Sequence, residues 1–314
     1  MYSSVSSFSR VCARLHRAHS NSSSSNLLSY QTLGAACPDK ASAGATLPTV
    51  GLHGWLDNSS TFLPLSSHVP MYAPDFPGHG KSFHFTDHTN LITSYLLPTL
   101  NFANHVLDET ASEKINLVGH SMGSTVALLL AATYPELVSK LVLIEGLGPL
   151  TKPTSSLIST LRSHTDTFSS PPPPKKIYPT IDACLKARMR TAELSPGSQY
   201  ITLRTCGNLI ARSTEAVEGG VTFTHDQRLK HPSHMYLTES QCLKVLESVT
   251  CPVLIVKAKE GWPEPSKEVV QKRLEALQTN VEDFRTVEVD GSHHCHSDED
   301  GCDQVGKAIV EFFR

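Results

Sequence analysis

One short segment limits the folds open to this chain more than any other. The apolar run Ile115-Asn-Leu-Val118 leads directly into Gly119-His120-Ser121-Met122-Gly123, and residues 124–133 continue with the composition of a buried helix. A Gly-x-Ser-x-Gly pentapeptide is common by itself, but between a strand and a helix it makes a sharp turn with a physical purpose. The serine is held in a strained backbone conformation, so the residues two before and two after it must lack bulk, hence Gly119 and Gly123. The helix that follows turns its free N–H groups and positive end toward the serine. Ser121 is therefore the candidate nucleophile. The bland alternative, a Gly-rich turn carrying a solvated serine, leaves the flanking strand and helix unexplained.

Around this segment, strands and helices alternate. Residues 47–52 read as a buried strand ending at His53-Gly54, and 71–75 as a second, stopped by the turn Pro77-Gly-His-Gly80. A helix over 92–110, the strand 115–118, a helix over 124–133 and a strand over 140–144 follow. The rhythm lapses from 147 to 246, a mostly polar stretch with prolines at 171–174 and helix-like runs at 180–193 and 198–212. It resumes with strand 252–256, helix 264–277, strand 284–289 and an amphipathic helix over 303–313. Such alternation predicts βαβ units and a mostly parallel sheet flanked by helices. The expected organisation is an N-terminal segment (1–46), a core in two halves (47–146 and 247–314), and an inserted helical cap or lid (147–246) over the carboxyl ends of the strands.

Composition removes several classes. Lys and Arg number 27 against 30 Asp and Glu, with no basic stripe, so nucleic acid is not an expected partner. No apolar run is long enough to span a bilayer; the best, 126–144, is interrupted by Tyr134-Pro-Glu136 and Lys140. A soluble protein is expected, its oligomeric state left open. The eight cysteines (Cys12, Cys37, Cys184, Cys206, Cys242, Cys251, Cys295 and Cys302) form neither a CxxC pair nor a dense scaffold, which predicts reduced thiols inside a cell. Residues 1–38 carry Arg10, Arg14 and Arg17, many serines and no acid before Asp39. That composition fits a mitochondrial transit peptide. The weak amphipathicity of Val5, Phe8, Val11 and Leu15 favours a disordered Ser-rich tail or an unused start site. Cytoplasm and organelle, mitochondrion or peroxisome, both stay open.

A serine hydroxyl needs oxyanion donors and a base. Met122 supplies one backbone N–H, and Trp55, following His53-Gly54 after the first strand, supplies the other; His53 itself reads as a structural hydrogen-bonder. In a Ser, acid, His order the base sits in the loop after the last strand, here Val289-Asp-Gly-Ser-His293-His294-Cys-His296. His293 is preferred and His294 is the alternative. Three close histidines also suggest a metal, but no carboxylate with metal-like spacing accompanies them, so no metal and no organic cofactor is expected. Two carboxylates compete for the acid. Glu260 follows the strand 252–256 and is explained equally well as a solvated turn residue between lysines. Glu145 ends a buried apolar strand beside Ser121, where a carboxylate needs a partner to offset burial. Glu145 is preferred.

Together, Leu52-His-Gly-Trp-Leu-Asp-Asn58, Asp75-Phe-Pro-Gly-His-Gly80, Val118-Gly-His-Ser-Met-Gly123, His225-Asp-Gln-Arg-Leu229 and Gly291-Ser-His-His-Cys-His296 resemble the serine hydrolase-like protein family, a branch of the α/β-hydrolase superfamily. The resemblance runs from about residue 49 to the C-terminus. It implies the α/β-hydrolase fold, favours His293 over its neighbours, and makes His296 a second, non-catalytic histidine. The family is also similar to the haloalkane dehalogenases, some of which place a glutamate where Glu145 lies; their nucleophile is an aspartate, so Ser121 speaks against dehalogenation. Two departures stand out. The fold carries two antiparallel strands before the His53-Gly54 strand, and only residues 27–33 are suited to be one. The stretch between Asn58 and Asp75 is short for a helix plus a strand. Both are expected of a truncated or mis-spliced chain.

The activity expected is hydrolysis of an ester, or less readily an amide or thioester, of a small, mainly apolar acyl substrate through an acyl-enzyme on Ser121. An acyltransferase shares that intermediate and differs only in the acceptor. The rival class is a catalytically inactive ligand-binding or scaffold protein, supported by the competing acids and eroded N-terminal strands, and opposed by the intact elbow, histidine loop and oxyanion donors.

Overall fold

The computed structural model describes residues 27–34, 47–86, 91–169, 174–197 and 199–314. The N-terminal residues on which the targeting expectation rests lie outside them. Seven strands make the main sheet: β1 (Tyr30–Leu33), β2 (Thr49–Leu52), β3 (Met71–Pro74), β4 (Ile115–His120), β5 (Val138–Ile144), β9 (Val253–Glu260) and β10 (Phe284–Ser292), in the order β1-β3-β2-β4-β5-β9-β10. All neighbours are parallel except β1, which runs antiparallel to β3. β1 is the strand expected from residues 27–33, seated at the sheet edge.

The central strands are apolar without interruption because both sheet faces are covered. In β5, Leu141 and Leu143 enter one core while Val142 and Ile144 enter the other. β9 alternates likewise, with Val253 and Ile255 on one face and Leu254 and Val256 on the opposite face. The first face is covered by α1 (Leu96–Thr110) through Phe102 and Val106 and by α2 (Met122–Thr133) through Val126 and Leu130; the second is covered by the C-terminal helix, α8 (Cys302–Phe313), through Val305, Ile309 and Phe312. The short crossover from β2 to β3 contains two 3-10 turns, Ser59–Phe62 and Leu65–Ser67, in place of a full helix. Asn58 caps the first by accepting the Ser60 N–H at 3.0 Å.

Between β5 and β9 the cap contains α3 (Leu157–Phe168), which no helix-like run had announced, and α4 (Ile181–Glu193) and α5 (Leu203–Ser213), close to the runs expected at 180–193 and 198–212. It also carries an antiparallel sheet that sequence periodicity did not reveal: β6 (Ile177–Tyr178), β8 (Gly220–Phe223) and β7 (Thr214–Val217). A small core of its own, with Cys184, Ile201, Cys206, Leu209 and Ile210, holds the cap together. The last helix of the segment, α6 (Glu239–Glu247), buries Cys242 and Leu246 in the main core, near Leu277 of α7 (Lys267–Gln278). Within the described residues, six cysteines are free and buried, and no helix is long and apolar enough to cross a membrane.

Candidate active site

β4 ends at His120, and Ser121 turns the chain into α2 with φ 53° and ψ −116°, a conformation L residues rarely adopt. The strain is held by backbone pairing: the Ser121 N–H donates to Ile144 O at 2.9 Å. Ser124 Oγ bridges the carbonyl oxygens of Gly119 (2.7 Å) and Ile144 (3.1 Å). The flanking glycines are required sterically. A Cβ on Gly123 would lie 2.0 Å from Leu52 O, and one on Gly119 would lie 2.6 Å from Gly123 O. Met122 is the first residue of α2, so its N–H has no intrahelical acceptor.

The register of β10 against β9 shifts between Val289 and Ser292, and Gly291 at φ 100° directs the chain into a buried histidine loop. His293 Nδ1 lies 3.1 Å from Glu145 Oε2. Glu145 follows β5 and is itself at φ 53°. Its oxygens also accept the N–H groups of Ala258 and Trp262, each at 2.8 Å. The loop after β9 closes so tightly around this carboxylate that a Cβ on Gly261 would sit 2.3 Å from Oε2. Glu260, the competing acid, is exposed at the end of β9. With a carboxylate on Nδ1, the neutral His293 ring carries its proton there and leaves Nε2 as the basic nitrogen. Burial lowers the His293 pKa below its ordinary 6.5, against the opposing hydrogen bond and charge of Glu145. The His293 N–H donates to Gln199 Oε1 of the cap at 3.0 Å, and the ring packs 4.8 Å from that of His120, the residue before Ser121.

The remaining histidines take other partners. His53 Nδ1 donates to Gly54 O at 2.7 Å while Nε2 accepts the Phe76 N–H at 2.9 Å, which fixes the loop after β2. His294 Nε2 lies 3.1 Å from Asp57 Oδ2, and His296 Nε2 lies 2.9 Å from Thr61 Oγ1. Asp57 also accepts from Arg188 of α4 at 2.9 Å. Burial alone would raise the Asp57 carboxyl; His294, Arg188 and His120 together hold it well below the usual carboxylate range. Asp57, His120, Arg188 and Gln199 were not singled out from sequence. Asp57 belongs to the Trp-Leu-Asp-Asn segment that carries the family resemblance, yet no spacing connects positions 57, 188 and 294.

A strand–serine–helix elbow beside a carboxylate-bound histidine at the carboxyl edge of a parallel sheet narrows the family decisively. The model of the alpha/beta hydrolase family matches residues 50–308. The chain belongs to the alpha/beta hydrolase family. A serine hydrolase-like protein of Danio rerio is 28% identical over 282 residues, covering 85% of this chain and 81% of that protein. Serine hydrolase-like protein 2 of Homo sapiens is 26% identical over 272 residues, covering 80% and 82%. Among solved structures, a hypothetical protein from Pseudomonas aeruginosa PAO1 is 33% identical with a TM-score of 0.73, covering 86% of this chain and 92% of that one.

This alpha/beta hydrolase has a cavity between core and cap. Its volume is about 190 Å³. Core residues Gly54, Trp55, Asp57, His120, Trp262, His293 and His294 line one side; Tyr178, Arg188, Gln199, Leu209, Ile210 and Phe223 line the cap side. Trp55, half exposed, donates its indole N–H to Leu229 O at 3.1 Å and so joins the candidate oxyanion loop to the cap. The His225-Asp-Gln-Arg-Leu229 segment serves the same junction: the Asp226 N–H donates to Gly78 O at 2.8 Å, and Arg228 holds both Asp226 and Phe85 O.

Proposed function

We propose that this alpha/beta hydrolase is a serine esterase that cleaves small, mainly apolar acyl esters, or the related thioesters or amides, through an acyl-enzyme on Ser121. The observation that carries the reading is the Glu145–His293 hydrogen bond at 3.1 Å, with the His293 ring packed on His120, the residue before the strained Ser121 turn. In this mechanism Ser121 Oγ attacks the acyl carbonyl while His293 Nε2 takes its proton. Glu145 orients the ring and stabilises the imidazolium. The Trp55 and Met122 N–H groups receive the negative charge on the carbonyl oxygen. His293 then returns the proton to the leaving group, and the same base activates the water that frees the acid and regenerates Ser121. The cavity that Trp55 and His293 line offers room for a small acyl group. Trp55, Leu209, Ile210, Phe223 and Trp262 supply its apolar wall. The relatives named as serine hydrolase-like proteins are consistent with the same chemistry.

The test is labelling with a fluorophosphonate probe, which reacts only with an activated serine. Wild-type protein is expected to label, and Ser121→Ala and His293→Ala to lose the label. Label retained in folded Ser121→Ala removes the assignment. No label on folded wild type transfers support to the ligand-binding reading.

A further inference from the structure

Beside the proposed triad lies a second set of buried polar groups that the reaction does not use. Asp57, His120 and His294 are all buried, and one ligand atom of each falls within 4.8 Å of the others. Asp57 Oδ2 is 3.1 Å from His294 Nε2 and 3.8 Å from His120 Nδ1. The state of His120 follows from its other nitrogen. Nε2 lies 2.9 Å from His293 O, and a carbonyl only accepts, so Nε2 carries the proton. Nδ1 of the neutral ring is then a bare lone pair. It is buried, has no hydrogen-bond partner, and faces a carboxylate oxygen. Two acceptors opposed inside a protein are unfavourable unless something positive lies between them.

The surroundings share several features with a metal site. Donor atoms around a four-coordinate zinc at ~2.0–2.1 Å are about 3.3 Å apart. Asp57 Oδ2 stands 3.1 and 3.8 Å from the two ring nitrogens, which lie within 4.8 Å of each other, so the rings must draw inward around an ion. Ligating histidines characteristically donate their second N–H to a backbone carbonyl, and ligating carboxylates are themselves hydrogen-bonded. His120 Nε2 meets the first condition, whereas His294 Nδ1 has no such partner, and Arg188 on Asp57 Oδ1 at 2.9 Å meets the second. All three residues line the cavity, which gives an ion a way in and leaves room for water at the remaining position. Two imidazoles and one carboxylate suit zinc and its first-row neighbours.

We propose that Asp57, His120 and His294 form a site for one divalent transition-metal cation of the zinc type. Binding there does not rest on the reading of His293 as base.

Tag-free full-length protein, stripped by a chelator, would be titrated with Co²⁺ by visible absorption and with Zn²⁺ by calorimetry. One ion per chain and a cobalt d–d band are expected. Asp57→Asn and His294→Gln, checked for folding by circular dichroism, should each weaken binding at least about tenfold. Unchanged affinity in the folded Asp57 and His294 variants, or no cobalt band in wild type, overturns the site. Should the variants not fold, X-ray absorption of zinc-loaded wild type decides: two imidazoles support the site, and sulfur ligands or no imidazole overturn it.

Discussion

Glu145 and His293 form a buried pair whose geometry suits the proposed proton transfer. The carboxylate accepts two backbone N–H groups at 2.8 Å and faces His293 Nδ1 at 3.1 Å, so its orientation is held from three directions. Glu145→Gln keeps the size but offers an amide whose N–H₂ cannot accept from all three. The proposed role predicts a fall in kcat/KM on the order of 10³-fold with an activated ester, without loss of folding. The pH profile gives a second check. His293 acts as a base only when neutral, and burial lowers its pKa below 6.5. Activity should therefore be complete at neutral pH and be lost on an acid limb centred below 6.5. The hydrogen bond and charge of Glu145 raise that pKa, so the limb should move to still lower pH in Glu145→Gln. A limb at or above 6.5 in wild type would contradict the assignment.

At the scale of single elements, the elbow and the cap helices respond differently to the same change. Gly123 is the second residue of α2, its α-carbon facing the end of β2, where a Cβ would lie 2.0 Å from Leu52 O. Neither backbone can move without separating β2 from the elbow, so Gly123→Ala should cost ~3 kcal/mol in urea denaturation and abolish probe labelling. Gly207 is inside α5, and a Cβ there would meet nothing within 4 Å. Gly207→Ala should stabilise by about 0.5–1 kcal/mol, because alanine loses less backbone entropy in a helix. The contrast separates a glycine required by packing from one that is merely tolerated.

For the whole molecule, cap and core are joined by a buried ion pair as well as by apolar contact. Arg212 of α5 places Nε 2.8 and 3.1 Å from the two oxygens of Asp75, which is fully buried and also accepts the Ser59 and Lys81 N–H groups. Arg212→Ala leaves that carboxylate charged without its cation, and a loss of about 3 kcal/mol in urea is expected. Stability should also fall in acid. His79 and His296 are fully buried as neutral rings, with pKa values lowered by burial to about 3. The unfolded chain binds their protons near pH 6.5 and the folded chain does not, so their contribution is complete above 6.5 and declines as pH falls toward 3. The slope is about 1.4 kcal/mol per pH unit for each histidine. Urea midpoints at pH 7 and pH 5 measure it; equal midpoints would exclude these rings as stability determinants.

Local chemistry made much of this protein readable from its sequence. The β4–Ser121–α2 turn, the apolar central strands and the histidine loop depend on residues adjacent in the chain, so their periodicity and small residues signal them directly. Glu145 could be singled out because a carboxylate ending a buried strand needs a nearby partner. What that partner is depends on the loop after β9 folding over the carboxylate, and on the register shift that delivers His293. The β6-β8-β7 sheet of the cap gave too weak a signal, with a two-residue strand and half-exposed neighbours. Above all, Asp57, His120, Arg188 and His294 are scattered across β2, β4, α4 and β10 or the loops that follow them. Only tertiary structure decides that such residues meet, because their contact is set by strand order and cap docking, which no local spacing encodes.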